Sequence, residues 1–135
     1  MIRLLNAFKD ATLTFIRVTE KSLKDILERQ ANNILKVREL LIFAKQRNKT
    51  VHVVGMGRSG LAGRFFADML KLRGIKASII GDILAKPVNK DDIVFAFSGS
   101  GWTSTTAMYA EMCVRRGAVL VAFTAGSYTH LTLPT

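Results

Sequence analysis

Two short apolar runs in this chain each end in a turn rich in glycine and serine, and each turn opens a helical pattern. Residues 51–54 lead into Gly57-Arg58-Ser59-Gly60, and residues 93–97 lead into Ser98-Gly99-Ser100-Gly101. The length and β-branched content of such runs predict buried parallel strands. Alternating strands and helices predict an open parallel sheet with helices on both faces. The remaining predicted strands are 77–80 and 119–123, and the predicted helices are 61–70 and 103–116.

The first 54 residues contain neither glycine nor proline. Their apolar residues recur every three or four positions, which predicts helices near 3–18 and 20–47. We therefore divide the chain into an N-terminal helical segment (1–48), used for packing and oligomerisation, and an α/β domain (49–125). The threonine-rich end (126–135) does not continue the alternation of strands and helices. We interpret it as a non-native tail on a C-terminally truncated chain, and a natural C-terminal strand is the alternative.

The composition fits a soluble globular domain. The 135 residues are 49% hydrophobic and 22% charged, and no apolar run approaches the length of a membrane span. The net charge of +10 is dispersed without interleaved aromatics, so we expect no nucleic-acid partner and no membrane partner. The predicted location is cytoplasmic. The single cysteine, Cys113, lies in a helical pattern and is interpreted as a packing residue.

Both turns suit an anion. In an open α/β sheet, ligands bind beyond the carboxyl ends of the strands, where helix N-termini favour phosphate. Hydroxyl groups add hydrogen-bond donors. The predicted phosphate-binding residues are Gly57, Arg58, Ser59, Ser98, Ser100 and Thr103. The first turn also matches G-x-G-x-x-G, with Asp82 placed as a ribose-binding acid, so a dinucleotide-binding domain remains an alternative.

The motifs GRSG, Gly81-Asp82-x-x-x-x-Pro87 and SGSG-x-T, in this order, resemble those of the SIS (sugar isomerase) domain family, most closely its 6-phospho-3-hexuloisomerases. The resemblance covers roughly residues 20–125. It implies a flavodoxin-like three-layer sandwich with a five-stranded sheet, assembled as a dimer or tetramer. The implied reaction interconverts 3-hexulose 6-phosphate and fructose 6-phosphate through an enediol, with no metal and no organic cofactor. Asp82 would order the loop or contact sugar hydroxyls.

The chain also departs from the family pattern. Trp102 replaces a polar residue of the second turn, and Ala85 and Lys86 replace residues that are commonly threonine. The Glu and His that transfer the proton in the family are expected downstream of residue 135, which leaves the catalytic residues unknown here. His52, in an apolar strand, is interpreted as a core residue, while Glu111 and His130 are poorly placed for a base. A non-catalytic module that senses a sugar phosphate is therefore a second hypothesis.

Overall fold

The computed structural model describes residues 1–99 and 103–124. Contacts between its residues divide the chain into two compact units, Met1–Lys36 and the residues from Val37 onward. The predicted N-terminal segment, 1–48, is thus divided, because the end of its second helix packs on the core of the α/β unit. The predicted tail, 126–135, lies outside the described residues.

The N-terminal helices are α1 (Ile2–Arg29) and α2 (Ala31–Gln46). The expected break near residues 18–20 is wrong, since α1 continues for another ten residues. Nothing in that stretch interrupts a helix, because it contains no glycine or proline. The break falls at Gln30, which has non-helical backbone angles and whose side-chain oxygen accepts a hydrogen bond from Asn33 Nδ2 at 2.7 Å.

The α/β unit contains a four-stranded sheet in the described residues, with strand order β2-β1-β3-β4 and every pairing parallel. This confirms the predicted open parallel sheet. The four strands lie within two residues of their predicted bounds, and helix α3 begins four residues earlier than expected, so the predicted turn at 57–60 is its first turn. The elements are β1 (Thr50–Gly55), α3 (Gly57–Leu72), β2 (Lys76–Ile79), β3 (Ile93–Ser98), α4 (Ser104–Arg115) and β4 (Val119–Thr124).

Each face of the sheet has its own apolar cluster, as expected for a sheet covered on both sides. On one face, Val51, Val53 and Phe95 pack with residues of α3 and with Ala44 of α2. On the other face, strand residues pack with Ala110 and Cys113 of α4. Cys113 is buried in this second cluster, which confirms its interpretation as a packing residue, and burial raises the pKa of its thiol.

The turn between β1 and α3 depends on close approach of two glycines. A methyl group at Gly60 would lie 2.6 Å from the Gly55 carbonyl oxygen, which belongs to the backbone and has little freedom to move. By contrast, a methyl group at Gly57 would meet no atom within 4 Å, but Gly57 has a φ of +56°, which disfavours a side chain. The two positions thus require glycine for different reasons.

We expect Gly60→Ala to lower the free energy of unfolding by about 2 kcal/mol, because the added carbon forces the strand and helix apart. The matched variant Gly57→Ala should cost about 1 kcal/mol, from backbone strain alone. Urea denaturation of both variants measures the two costs. A Gly60→Ala protein as stable as Gly57→Ala would show that the turn relaxes without penalty.

Candidate anion-binding cleft

The two glycine-serine loops meet at the carboxyl end of the sheet, because β1 and β3 are adjacent parallel strands. A direct hydrogen bond joins them: the Gly99 N–H donates to Ser59 Oγ at 2.9 Å. Since Ser59 Oγ accepts this bond, its own hydroxyl proton remains available to a ligand. The two loops, between which the sequence predicts a phosphorylated sugar, are therefore in direct contact.

A cleft of about 650 Å³ opens between these loops. Of the predicted binding residues, the structure brings together Arg58, Ser59, Ser98 and Thr103 along its walls. Gly57 begins α3 beside them without lining the cleft among the described residues, and Ser100 lies outside the described residues, as does Trp102. The remaining lining residues, which the sequence did not single out, are Met56, Ala62, Phe97 and Gly99.

Two helix N-termini point their unpaired backbone groups at this region. Helix α3 follows Met56 and helix α4 follows Thr103, and neither N-cap side chain accepts a hydrogen bond from a backbone N–H of its own helix. Thr103 Oγ1 instead donates to Thr106 Oγ1 at 2.9 Å. The first-turn N–H groups are therefore left for solvent or a ligand, and the helix dipoles favour an anion there.

Ser98 carries the clearest sign of a ligand. The residue is only 6% exposed, and its Oγ has no hydrogen-bond partner within the described ranges. A buried hydroxyl without a partner costs free energy, so this oxygen is set for a group that enters the cleft. Ser98 would have been difficult to separate from its neighbours by sequence alone, because all three hydroxyl residues of the motif look equivalent.

The charge of the cleft comes from Arg58. Among the lining residues that the structure describes, Arg58 bears the one formal charge, and no carboxylate or imidazole stands beside it. An arginine together with hydroxyls and helix N-termini suits a phosphate, which accepts several hydrogen bonds at once. The same set lacks a group that could act as a general base near neutral pH.

Asp82 does not line the cleft. Its two carboxylate oxygens accept hydrogen bonds from Arg64 of α3, at 2.9 Å from Nη1 and 2.5 Å from Nη2. The hydrogen bonds from Arg64 lower the pKa of Asp82 below its ordinary value. The acid therefore ties the loop after β2 to α3, which fits the suggested loop-ordering role, and its contact with sugar hydroxyls stays a prediction. The sequence did not identify Arg64 as its partner.

His52 lies toward the opposite, amino end of the sheet. It is fully buried, and its Nε2 is 2.9 Å from Asp92 Oδ2. This confirms its interpretation as a core histidine and places it away from the cleft. Glu111 is exposed on α4 and pairs with Arg115.

The described ranges contain no group of three or more metal-ligating side chains. The helices within them include none long and apolar enough to cross a membrane.

The SIS domain family model matches residues 42–131, which is more than half of the chain. The 3-hexulose-6-phosphate isomerase of Mycobacterium gastri is 38% identical over 74 residues, covering 55% of this chain and 37% of that protein. Arabinose 5-phosphate isomerase KdsD of Pseudomonas aeruginosa is 31% identical over 114 residues, covering 81% of this chain. The match spans 34% of the length of that protein, so the chain corresponds to a part of both relatives.

Among solved structures, a phosphoheptose isomerase from Francisella tularensis superposes with a TM-score of 0.73 at 19% identity. The superposition covers 87% of this chain and 74% of that one. At this identity the likeness shows the fold alone. It agrees with the parallel sheet and flanking helices described above.

Proposed function

Because the chain belongs to the SIS domain family, we propose that its cleft binds the phosphate of a phosphorylated sugar. We further propose that it is the phosphosugar-binding part of an isomerase that interconverts 3-hexulose 6-phosphate and fructose 6-phosphate through an enediol. The resemblance of its three motifs to 6-phospho-3-hexuloisomerases supports this substrate, as does the similarity to a 3-hexulose-6-phosphate isomerase.

The single observation that carries the proposal is the buried Ser98 Oγ, which has no partner among residues 1–99 and 103–124 and lies between two helix N-termini without side-chain caps. A phosphate group there would accept a hydrogen bond from this hydroxyl and from the free backbone N–H groups. Arg58 would balance part of its charge. Ser59, already oriented by Gly99, would add a further donor.

We expect fructose 6-phosphate to raise the melting temperature of this chain and NAD to leave it unchanged. The change Ser98→Ala should weaken fructose 6-phosphate binding about 10-fold or more, because it removes one donor to a charged phosphate. Ser22→Ala, on the exposed surface of α1, is the matched control and should bind as the unchanged chain does. Thermal-shift titrations check these expectations, and stabilisation by NAD alone would refute the sugar-phosphate proposal.

The dinucleotide alternative receives less support from the geometry. A ribose-binding acid must offer a free carboxylate oxygen to the 2′-hydroxyl. In this structure Arg64 engages both oxygens of Asp82. Ribose hydroxyls would have to share these oxygens with Arg64, so the phosphosugar remains the better proposal.

A specific observation favours a second candidate, a module that senses a sugar phosphate without converting it. The part of the cleft wall that the structure describes supplies a phosphate anchor but no base. Isomerisation requires both. A binding module requires only the first, and an isomerase assay distinguishes the two functions.

We also propose that the complete protein is at least a dimer, with the N-terminal helices in or beside the interface. Large apolar side chains of this unit are exposed, including Leu27 at 59% and Ile34 at 41%. An extended apolar stripe of this kind marks an interaction surface. Its partner is then a second copy of the chain.

Changing Leu27 and Ile34 to Lys should shift the assembled protein toward monomers in sedimentation velocity, because two charges would enter the apolar contact. Glu20→Gln with Glu28→Gln raises the net charge by the same amount on the polar side of α1 and serves as the control. That control should sediment as the unchanged protein does. A monomeric unchanged protein would contradict the proposal.

A further inference from the structure

The phosphate cleft continues into a second depression of about 250 Å³ over the ends of β3 and β4. Five residues belong to the walls of both depressions, so the two form one continuous surface. The shared residues are Ser59, Ala62, Phe97, Ser98 and Gly99. What the second depression adds is the aromatic ring of Phe123, together with Thr124.

Phe97 and Phe123 form a stacked pair. Their ring centroids are 4.9 Å apart, and their planes differ by 15°. Phe123 also stacks on Phe95 and meets the edge of Phe66, so its ring is held by a cluster of three other aromatic rings. Although it belongs to this cluster, Phe123 is 39% exposed. The result is a rigid aromatic surface beside the phosphate anchor.

The two ends of the combined cleft therefore differ in chemistry. Arg58, Thr103 and the helix N-termini form a polar end that suits an anion. The Phe97 and Phe123 rings form an apolar end, which offers nothing to a phosphate but can pack against carbon-bound hydrogens. A ligand that fills both ends carries an anion on a carbon chain of several atoms.

We infer that the Phe97–Phe123 surface is a second subsite that contacts the carbon chain of the sugar phosphate, and that Phe123 is a specificity-determining residue. This inference rests on the proposed function and adds an orientation to it. The phosphate lies at the start of α3 and α4, and the carbon chain extends across Phe97 toward the end of β4. Short phosphorylated ligands reach only the polar end of the cleft.

The test compares inorganic phosphate, which occupies only the polar end, with fructose 6-phosphate by isothermal titration calorimetry. The unchanged chain should bind fructose 6-phosphate more tightly than inorganic phosphate. Phe123→Leu keeps an apolar side chain but removes the ring, and should weaken fructose 6-phosphate binding about 2- to 10-fold. Its affinity for inorganic phosphate should not change. Phe123→Trp, which keeps an aromatic face, should retain the preference for fructose 6-phosphate.

Phe65→Leu provides the matched control, because Phe65 is exposed on α3 and lines neither depression. It should bind both ligands as the unchanged chain does. Equal fructose 6-phosphate affinities in Phe123→Leu and the unchanged chain would overturn the subsite. An equal loss of both ligands in Phe123→Leu would also overturn it, since that pattern indicates general damage to the cleft. If the unchanged chain bound inorganic phosphate and fructose 6-phosphate equally, the proposed Phe97–Phe123 subsite would be refuted. The proposed phosphate anchor would remain supported. If the unchanged chain bound neither ligand, the proposed function itself would be refuted.

Discussion

The 135-residue chain is expected to bind fructose 6-phosphate weakly and to show no isomerase activity in a coupled assay. The expected deficit in rate is about 10²–10⁴-fold, the contribution of a general base or acid to a proton transfer. The described cleft residues are proposed to anchor a phosphate, yet none of them carries a carboxylate or an imidazole. The resemblance to the family predicts that the Glu and His lie downstream of residue 135.

The buried histidine does not substitute for that base. His52 has no exposed surface, and its partner Asp92 immediately precedes β3, so the pair lies toward the amino end of the sheet while the cleft lies at the carboxyl end. A general base must come within hydrogen-bond reach of the proton that it removes. His52 therefore cannot serve a substrate in the cleft of this fold.

The assay should include the 3-hexulose-6-phosphate isomerase of Mycobacterium gastri as its positive control, at equal protein concentration. Calorimetry on the same sample of the chain shows whether substrate binds when no turnover is seen. Binding without turnover is the expected result. Full activity would show that this chain itself supplies a base.

The change Asp92→Asn should lower the free energy of unfolding by about 3 kcal/mol, because three donors, one of them a fully buried histidine, lose a charged acceptor together. Asp92 is 3% exposed. Its carboxylate accepts hydrogen bonds from the Thr50 N–H at 3.0 Å, the Asn89 N–H at 2.9 Å and His52 Nε2 at 2.9 Å. These bonds join the start of β1, the loop before β3 and a core side chain.

The same carboxylate should make stability depend on pH. Burial opposes ionisation of Asp92, but the hydrogen bonds from Asn89, His52 and Thr50 outweigh it and hold the pKa below its ordinary value. A group whose pKa is lowered by folding stabilises the protein fully above its unfolded pKa, which is about 3.9 for aspartate. This stabilisation is lost as the pH falls through the lower pKa of the folded state. We expect acid to lower the stability of the unchanged chain more than it lowers the stability of the Asp92→Asn variant.

Asp91→Asn is the control for both effects, since it makes the same chemical change at an adjacent, exposed residue. Asparagine also tolerates the φ of +67° at this position. Urea denaturation at neutral pH and near pH 3 measures the unfolding free energy of each variant and its dependence on pH. If Asp92→Asn and Asp91→Asn were equally stable at both values, the buried network would contribute nothing to folding.

Local signals in the sequence were sufficient to predict the strands and helices of the α/β unit. Runs such as 51–54 and 93–97 are apolar and β-branched, and glycines such as Gly74 and Gly117 mark helix ends, where the structure shows positive φ. The alternation of strands and helices then implies parallel pairing, because a crossover helix returns the chain in the same direction. The boundary between α1 and α2 was missed because residues 19–30 carry no strong breaker.

The sequence predicted a site made of two loops that carry hydrogen-bond donors. That prediction depends only on the residue types and on their position directly after a strand. Tertiary structure decided how those donors are used. Pairing of β1 with β3 brings Ser59 within hydrogen-bond distance of Gly99 and leaves the buried Ser98 hydroxyl without a partner in the part of the chain that the structure describes.

The sequence by itself determined the alternation of strands and helices and the presence of anion-binding chemistry at their junctions, since both follow from local patterns. Only the tertiary structure decided that Arg64 engages Asp82, that Asp92 hydrogen-bonds to His52, and that Phe123 lies beside the two glycine-serine loops. These contacts join residues 18 to 64 positions apart in the chain. They depend on strand order and on the placement of helices across the sheet, which short-range patterns do not encode.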